Sequence, residues 1–157
     1  AIAMLDEACL EVRSVAYQMM PASLKRYGLA QAIEDMLQRL LSNTSIKYNF
    51  NHSIGNQRLP EHVEISLYRI TQELVNNCVK HASAGHLSID LYAANNSLVL
   101  MVEDDGIGIP AHIDMNGMGM SNIESRVQAL GGVFHIENAP NAGTIATVRI
   151  PFNKEAG

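Results

Sequence analysis

Apolar residues recur at three- and four-residue steps at Ile2, Leu5, Cys9, Val12, Ala16 and Met19, the period of an amphipathic helix over 1–20. Pro21 stops that pattern, since proline has no amide to donate. Leu29, Ile33, Met36, Leu37 and Leu40 predict a second helix, ending near Ser42-Asn43. Ile46, Tyr48 and Phe50 then alternate with Lys47, Asn49 and Asn51, as in a half-buried strand. Pro60 opens a third helix at a tolerated first-turn position, with Val63, Leu67, Ile70, Leu74 and Cys78 as its apolar face to about Ala82. Strands follow at 86–93 and 97–103, joined by the turn-like Ala94-Asn95-Asn96. From Asp104 to Met118 no period survives, and loops of that length in a compact domain are usually functional. Ile123, Val127 and Leu130 mark a last helix, stopped by Gly131-Gly132. Strands at 133–137 and 144–151 close the chain, separated by 138–143. A mixed sheet with helices on one face is the packing this order predicts, an α+β fold.

Composition narrows the partners. With 157 residues, 47% apolar and 17% charged, the chain is long enough for one domain with a real core. A formal charge of −5 argues against a nucleic-acid surface, which needs clustered Lys and Arg. A polyphosphate ligand stays open, because magnesium and helix N-termini supply positive field locally. Cys9 and Cys78 lie far apart inside helical patterns, which fits a reduced, cytoplasmic setting. No apolar run approaches the roughly 20 residues of a membrane span, so no membrane contact by this segment is expected. The opening Ala1-Ile2-Ala3-Met4-Leu5 resembles neither a signal peptide nor an initiation site, so a longer parent protein is expected.

Four features carry chemistry. Glu73, Asn77 and Lys80 share one stripe of the third helix, beside the core line of Ile70, Leu74 and Cys78. Asn is a poor mid-helix residue, and an amide oxygen suits a magnesium ion shared with phosphates and water; a solvated helix face is the alternative. Asp104-Asp105-Gly106-Ile107-Gly108 follows a strand, so glycine allows close approach of a flat ligand and a carboxylate can accept from an exocyclic amine. An ordinary tight turn or a calcium-type loop is the alternative, although no acid stands at the twelfth position a calcium loop needs. Gly117-Met118-Gly119-Met120-Ser121 precedes a helix, where amides bind phosphate. Gly143-Thr144 opens the last strand, and alone reads equally as a hairpin turn.

In this order the features resemble the GHKL ATP-binding superfamily of histidine kinases, DNA gyrase, mismatch-repair ATPases and heat-shock chaperones. Glu73-Leu-Val-Asn-Asn77-Cys-Val-Lys80-His81-Ala is similar to its N box, 104–108 to its first glycine box, 117–120 to its second, and Gly143-Thr144 to its final element. Arg13-Ser-Val-Ala-Tyr-Gln-Met-Met-Pro21, Gly28-Leu29, Gly119-Met-Ser-Asn122-Ile-Glu-Ser-Arg126-Val and Leu130-Gly-Gly132 resemble kinases of the nitrate/nitrite-sensor and lipid-desaturase-sensor type.

That resemblance implies a Bergerat-type two-layer α/β sandwich over 21–157, preceded over 1–20 by the C-terminal part of a dimerisation helix. It implies ATP and magnesium as cofactors, with Asn77 as metal ligand and Lys80 reaching the phosphates. Asp104 would hold the adenine amine, assisted by Thr144 through water. Gly106 and Gly108 would shape the base pocket, packed by Ile107 and Ile109. Gly117 and Gly119 would admit the phosphates, and Met115, Met118 and Met120 would form a flexible apolar latch over the nucleotide or be lid residues resting on the nearest apolar surface. His81 could touch phosphate, or be a helix-end histidine favoured by the macrodipole. Glu73 matches an acid that acts as base in relatives that hydrolyse ATP. A mobile lid from Asp105 to Met118 is expected between the two ends of the site. The implied partners are a histidine-bearing dimerisation domain of the same protein and a response regulator. The phosphoacceptor itself is expected elsewhere: His52, His62, His81, His86, His112 and His135 are followed by Ser, Val, Ala, Leu, Ile and Ile, never by an acid. Two other readings remain, a stand-alone protein-serine kinase of the anti-sigma-factor type and a non-catalytic ATP-binding regulatory module.

Overall fold

The computed structural model describes residues 20–109 and 119–153. Residues 1–19 of the expected helix over 1–20 lie outside the described residues, as do Gly117 and Met118. The elements are α1 (Ala22–Tyr27), α2 (Leu29–Leu41), β1 (Lys47–His52), α3 (Glu61–Asn77) continued by a π-turn (Cys78–Ala82), β2 (His86–Ala94), β3 (Ser97–Asp104), α4 (Met120–Ala129), β4 (Val133–Asn138) and β5 (Thr144–Pro151).

The five strands form one mixed sheet in the order β1-β2-β3-β5-β4. β1 runs parallel to β2, and the other three pairings are antiparallel. Alternation decides which face is covered. Leu87, Ile89 and Leu91 of β2, Leu98, Leu100 and Val102 of β3 and Ala146, Val148 and Ile150 of β5 share one core with Ile33, Met36 and Leu37 of α2, Leu67, Ile70 and Leu74 of α3 and Ile123 and Val127 of α4. Their strand neighbours Ser88, Asp90, Glu103, Thr147 and Arg149 take the other face. The result is a two-layer α+β sandwich with the helices on one side of the sheet.

Two features depart from the expected elements. The stretch after Pro21 folds as α1, because proline at a helix start fixes φ (−56° here) where no amide is needed. Six residues are too few to show a period. The third helix is α-helical only to Asn77, then widens into the π-turn. There the backbone turns roughly 80° per residue instead of about 100°. Ser83 ends it in the left-handed conformation, at φ 50°. Among the described residues, no helix is long and apolar enough to cross a membrane.

Candidate functional site

A cavity opens where the C-terminal end of α3 and its π-turn face the ends of β3 and β5. Leu74, Val102, Met120, Ile136 and Ala146 give it apolar walls, and Asn77, Cys78, His81, Asp104 and Thr144 bring polar atoms to it. Asp104, the last residue of β3, is 3% exposed. A buried carboxylate is costly unless hydrogen-bonded, and this one has three donors. The Gly106 amide donates to Oδ1 at 2.9 Å, while the Thr144 hydroxyl and, at 3.5 Å, the Cys78 thiol donate to Oδ2. The Thr144 contact is direct because Thr144 stands opposite Asp104 in the β3–β5 register. An ionised carboxylate offers about four acceptor sites, so one remains for a donor entering the cavity. An amino group on a flat, apolar ring meets both requirements; a carbonyl at the same point would face like charge.

Cys78 went unrecognised in the sequence as a site residue, where it reads as the end of the apolar line of α3. Burial first, then the charge of Asp104 and the bond to it, push its thiol pKa well above the ordinary range. It therefore serves as a neutral donor. The clue available was its place next to Asn77, at the edge of the polar stripe.

The glycine-rich segment after β3 is held close. A Cβ at Gly106 would stand 2.0 Å from the Ala82 carbonyl oxygen, which the Ile107 amide reaches at 2.8 Å. Asp105 points away from the cavity and closes the entry to β2, accepting the amides of Gly85 (2.8 Å) and His86 (2.9 Å). Those bonds, that of His86 first, hold its carboxyl below the usual range. The Ile109 amide donates to Asn138 Oδ1 at 2.7 Å. The first five residues of the expected lid, 105–109, are thus tied to the body; positions 110–118 lie outside the described residues.

The other predicted residues divide in two groups. Asn77, His81, Ile107, Gly108, Ile109 and Met120 line the cavity together with Asp104 and Thr144, Ile107 at its rim with 67% exposure. Lys80 is exposed and Glu73 half-buried, and neither lines it. The π-turn accounts for Lys80, because its smaller angular step turns position 80 farther from the Asn77 stripe while keeping 81 near it. Glu73 reaches the start of α4 instead: its Oε1 lies 2.2 Å from where a Gly119 Cβ would be. Gly119 itself begins α4 in the left-handed conformation, at φ 75°.

The model of the histidine kinase-, DNA gyrase B- and HSP90-like ATPases matches residues 62–154, more than half of the chain. The chain belongs to this ATPase family. It is similar to the sensor protein VraS of Staphylococcus saprophyticus, with 31% identity over 153 residues, covering 97% of this chain and 44% of that relative. It therefore spans less than half the length of the curated relatives it matches. Among solved structures, the blue-light activated histidine kinase of Erythrobacter litoralis superposes with a TM-score of 0.67 at 23% identity, over 82% of this chain and 45% of that one. The catalytic domain of histidine kinase ThkA gives 0.65 at 18% identity, over 78% of this chain and 90% of that one. At such identities the shared property is the fold, and it is the fold of histidine kinase catalytic domains.

Proposed function

We propose that the chain is the ATP-binding catalytic domain of a two-component sensor histidine kinase. In this reading it donates the γ-phosphoryl of ATP to a histidine on a segment outside this chain. The observation that carries the reading is Asp104, a buried carboxylate with one acceptor site left toward an apolar cavity beside Asn77. Adenine places its amino group on Asp104 and its ring between Ile109 and the floor formed by Met120 and Ile136. Gly106 brings the backbone close enough to hold that geometry. The triphosphate then runs toward Asn77, His81 and the start of α4.

Magnesium fits on the chemistry of the donors. Among the described residues, no group of three His, Cys, Asp or Glu could hold a metal by itself. Asn77 offers one neutral oxygen, which suits an ion carried in by phosphate and water. An ion held by Asn77 would supply charge neutralisation at the phosphate oxygens, and the chain's own task is to position the nucleotide. Transfer breaks the bond from the γ-phosphorus to the bridging oxygen and forms one to an imidazole nitrogen. ADP leaves, and the imidazole proton passes to solvent or to a base. Glu73, which approaches Gly119 at the start of α4, is the candidate base. The glycines at 117 and 119 serve the phosphates, Lys80 reaches them only by its long side chain from outside the cavity, and Met118 completes the cover.

The junction motifs favour the nitrate/nitrite-sensor and desaturase-sensor branch, with 1–20 as part of the dimerisation helix. A cytoplasmic location follows, with a response regulator as downstream partner. ADP titration of the chain and of Asp104→Asn tests the site. Loss of a charge-assisted bond predicts about ten- to hundredfold weaker binding. Affinity within twofold of the parent removes Asp104 as the base anchor. Radiolabelled ATP then tests the transfer: the chain alone should gain no acid-labile phosphate, and the histidine-bearing segment supplied with it should.

A further inference from the structure

The register that sets Thr144 opposite Asp104 also sets Asn138 opposite Thr144. Directly opposed residues project from the same face. Asp104, Thr144 and Asn138 therefore form a polar row across the ends of β3, β5 and β4. The first two members meet at the polar end of the cavity. The third holds the cavity wall: Asn138 Oδ1 accepts the Ile109 amide at 2.7 Å, and the same oxygen lies 2.9 Å from where a Gly108 Cβ would be. Gly108 is left-handed, at φ 77°, so the absence of a side chain and the conformation both serve this approach. Beyond Asn138, the Ala139 amide donates to the Gly143 carbonyl at 2.9 Å, closing the turn of the β4–β5 hairpin.

We propose that Asn138 is a positioning residue for nucleobase recognition. It fixes Gly108 and Ile109 as one wall of the cavity, from the hairpin that also carries Thr144, so that the wall and the Asp104 anchor keep a set spacing. The proposal rests on reading the cavity as the nucleobase site. A hydrogen bond from Ile109 to the same hairpin ties the glycine-rich segment beside the cavity. Without it, the base would meet Asp104 and a wall free to drift.

The test uses the full chain, with ADP and GDP as probes. Asn138→Leu keeps the branched shape and removes the acceptor; Asn138→Asp keeps an acceptor oxygen. Parent protein that does not prefer ADP to GDP overturns the nucleobase reading itself. Given that preference, the leucine variant should bind ADP about three- to tenfold more weakly, the worth of one modest hydrogen bond. Its preference over GDP should narrow, and the aspartate variant should recover both. Leucine binding within twofold of the parent, or aspartate no better than leucine, overturns the proposal. Amide exchange at Ile109, read against core amides such as Leu100, gives a readout independent of affinity that separates local loosening from a loss of global stability: protected in the parent and aspartate proteins, faster in the leucine variant while the core amides keep their rates. Unchanged protection in the leucine variant also overturns it.

Discussion

Gly106→Ala should disable the site and loosen the fold together. The new Cβ would stand 2.0 Å from the Ala82 carbonyl oxygen, 2.7 Å from its carbon and 2.9 Å from the Ala82 Cβ. Two of these atoms are backbone, so no rotamer change relieves the clash, and the strand end and the π-turn must part by about 1 Å. The hydrogen bond from the Ile107 amide to Ala82 (2.8 Å) crosses this gap, and that from the Gly106 amide to Asp104 (2.9 Å) belongs to the residue that must move. Losing them costs about 1 kcal/mol each, and overpacking adds about 1–3 kcal/mol. A total of about 3–5 kcal/mol is a large share of a domain's stability and lowers the melting temperature on the order of 10 °C. Gly85→Ala is the matched control, since its Cβ would meet only Asp105 Oδ2, at 3.9 Å. Thermal melts and ADP titration of both variants check the reasoning. Gly106→Ala should melt early and bind at least about tenfold more weakly; if it melts with Gly85→Ala and binds ADP like the parent, the close approach has no role.

Two titratable groups give further expectations. The amides of His86 and Gly85 lower the Asp105 pKa in the folded state, so its contribution is present above the unfolded carboxylate value and fades as pH falls through the folded one. Asp105→Asn should therefore melt below the parent near neutral pH, with the gap closing as pH drops below about 4; a gap constant from pH 7 to 3 would count against that bond pattern. The Cys78 thiol is buried with a raised pKa. In a Cys9→Ser background it should resist thiol reagents in native buffer even at mildly alkaline pH and react promptly in denaturant, whereas fast native labelling would mean the thiol is not held against Asp104.

The sheet was legible because its strands alternate. Leu87, Ile89 and Leu91 against Ser88 and Asp90 leave one register that buries apolar side chains, and Asn95-Asn96 at φ 51° and 58° make the left-handed two-residue turn their composition allows. The polar residues around the cavity were legible as types in order along the chain. What the sequence hides is whatever depends on a local change of helical step or on pairing across strands. The π-turn moves Lys80 out of the Asn77 stripe, and nothing in Cys78-Val79-Lys80-His81-Ala82 distinguishes it from one more α-turn. Asn138 looks like a hairpin residue until the register puts it in line with Thr144 and Asp104. Glu64 did carry a sign: it is in phase with Leu67, Tyr68 and Thr71, so the helical period alone puts a carboxylate on the buried face of α3.

That carboxylate explains how the helix bearing Asn77 is held. Glu64 is fully buried and takes a two-pronged contact from Arg58, with Nε and Nη2 each at 3.0 Å, plus the Leu59 amide at 3.0 Å. Arg58 also donates to the carbonyls of Lys25 (3.1 Å) and Leu24 (3.3 Å) at the end of α1, the latter shared with the Gly28 amide. One guanidinium thus joins the start of α3 to the end of α1, using the planar fork that a lysine lacks. At its other end α3 is held through Ala82, whose carbonyl accepts the Ile107 amide. Asn77 therefore sits on an element pinned at both ends, by α1 before it and by the glycine-rich segment after it. On the proposed function, positioning is most of what phosphoryl transfer asks of a protein, so the residues that set the angle of α3 belong to the site's geometry even though Arg58 and Glu64 line no part of the cavity.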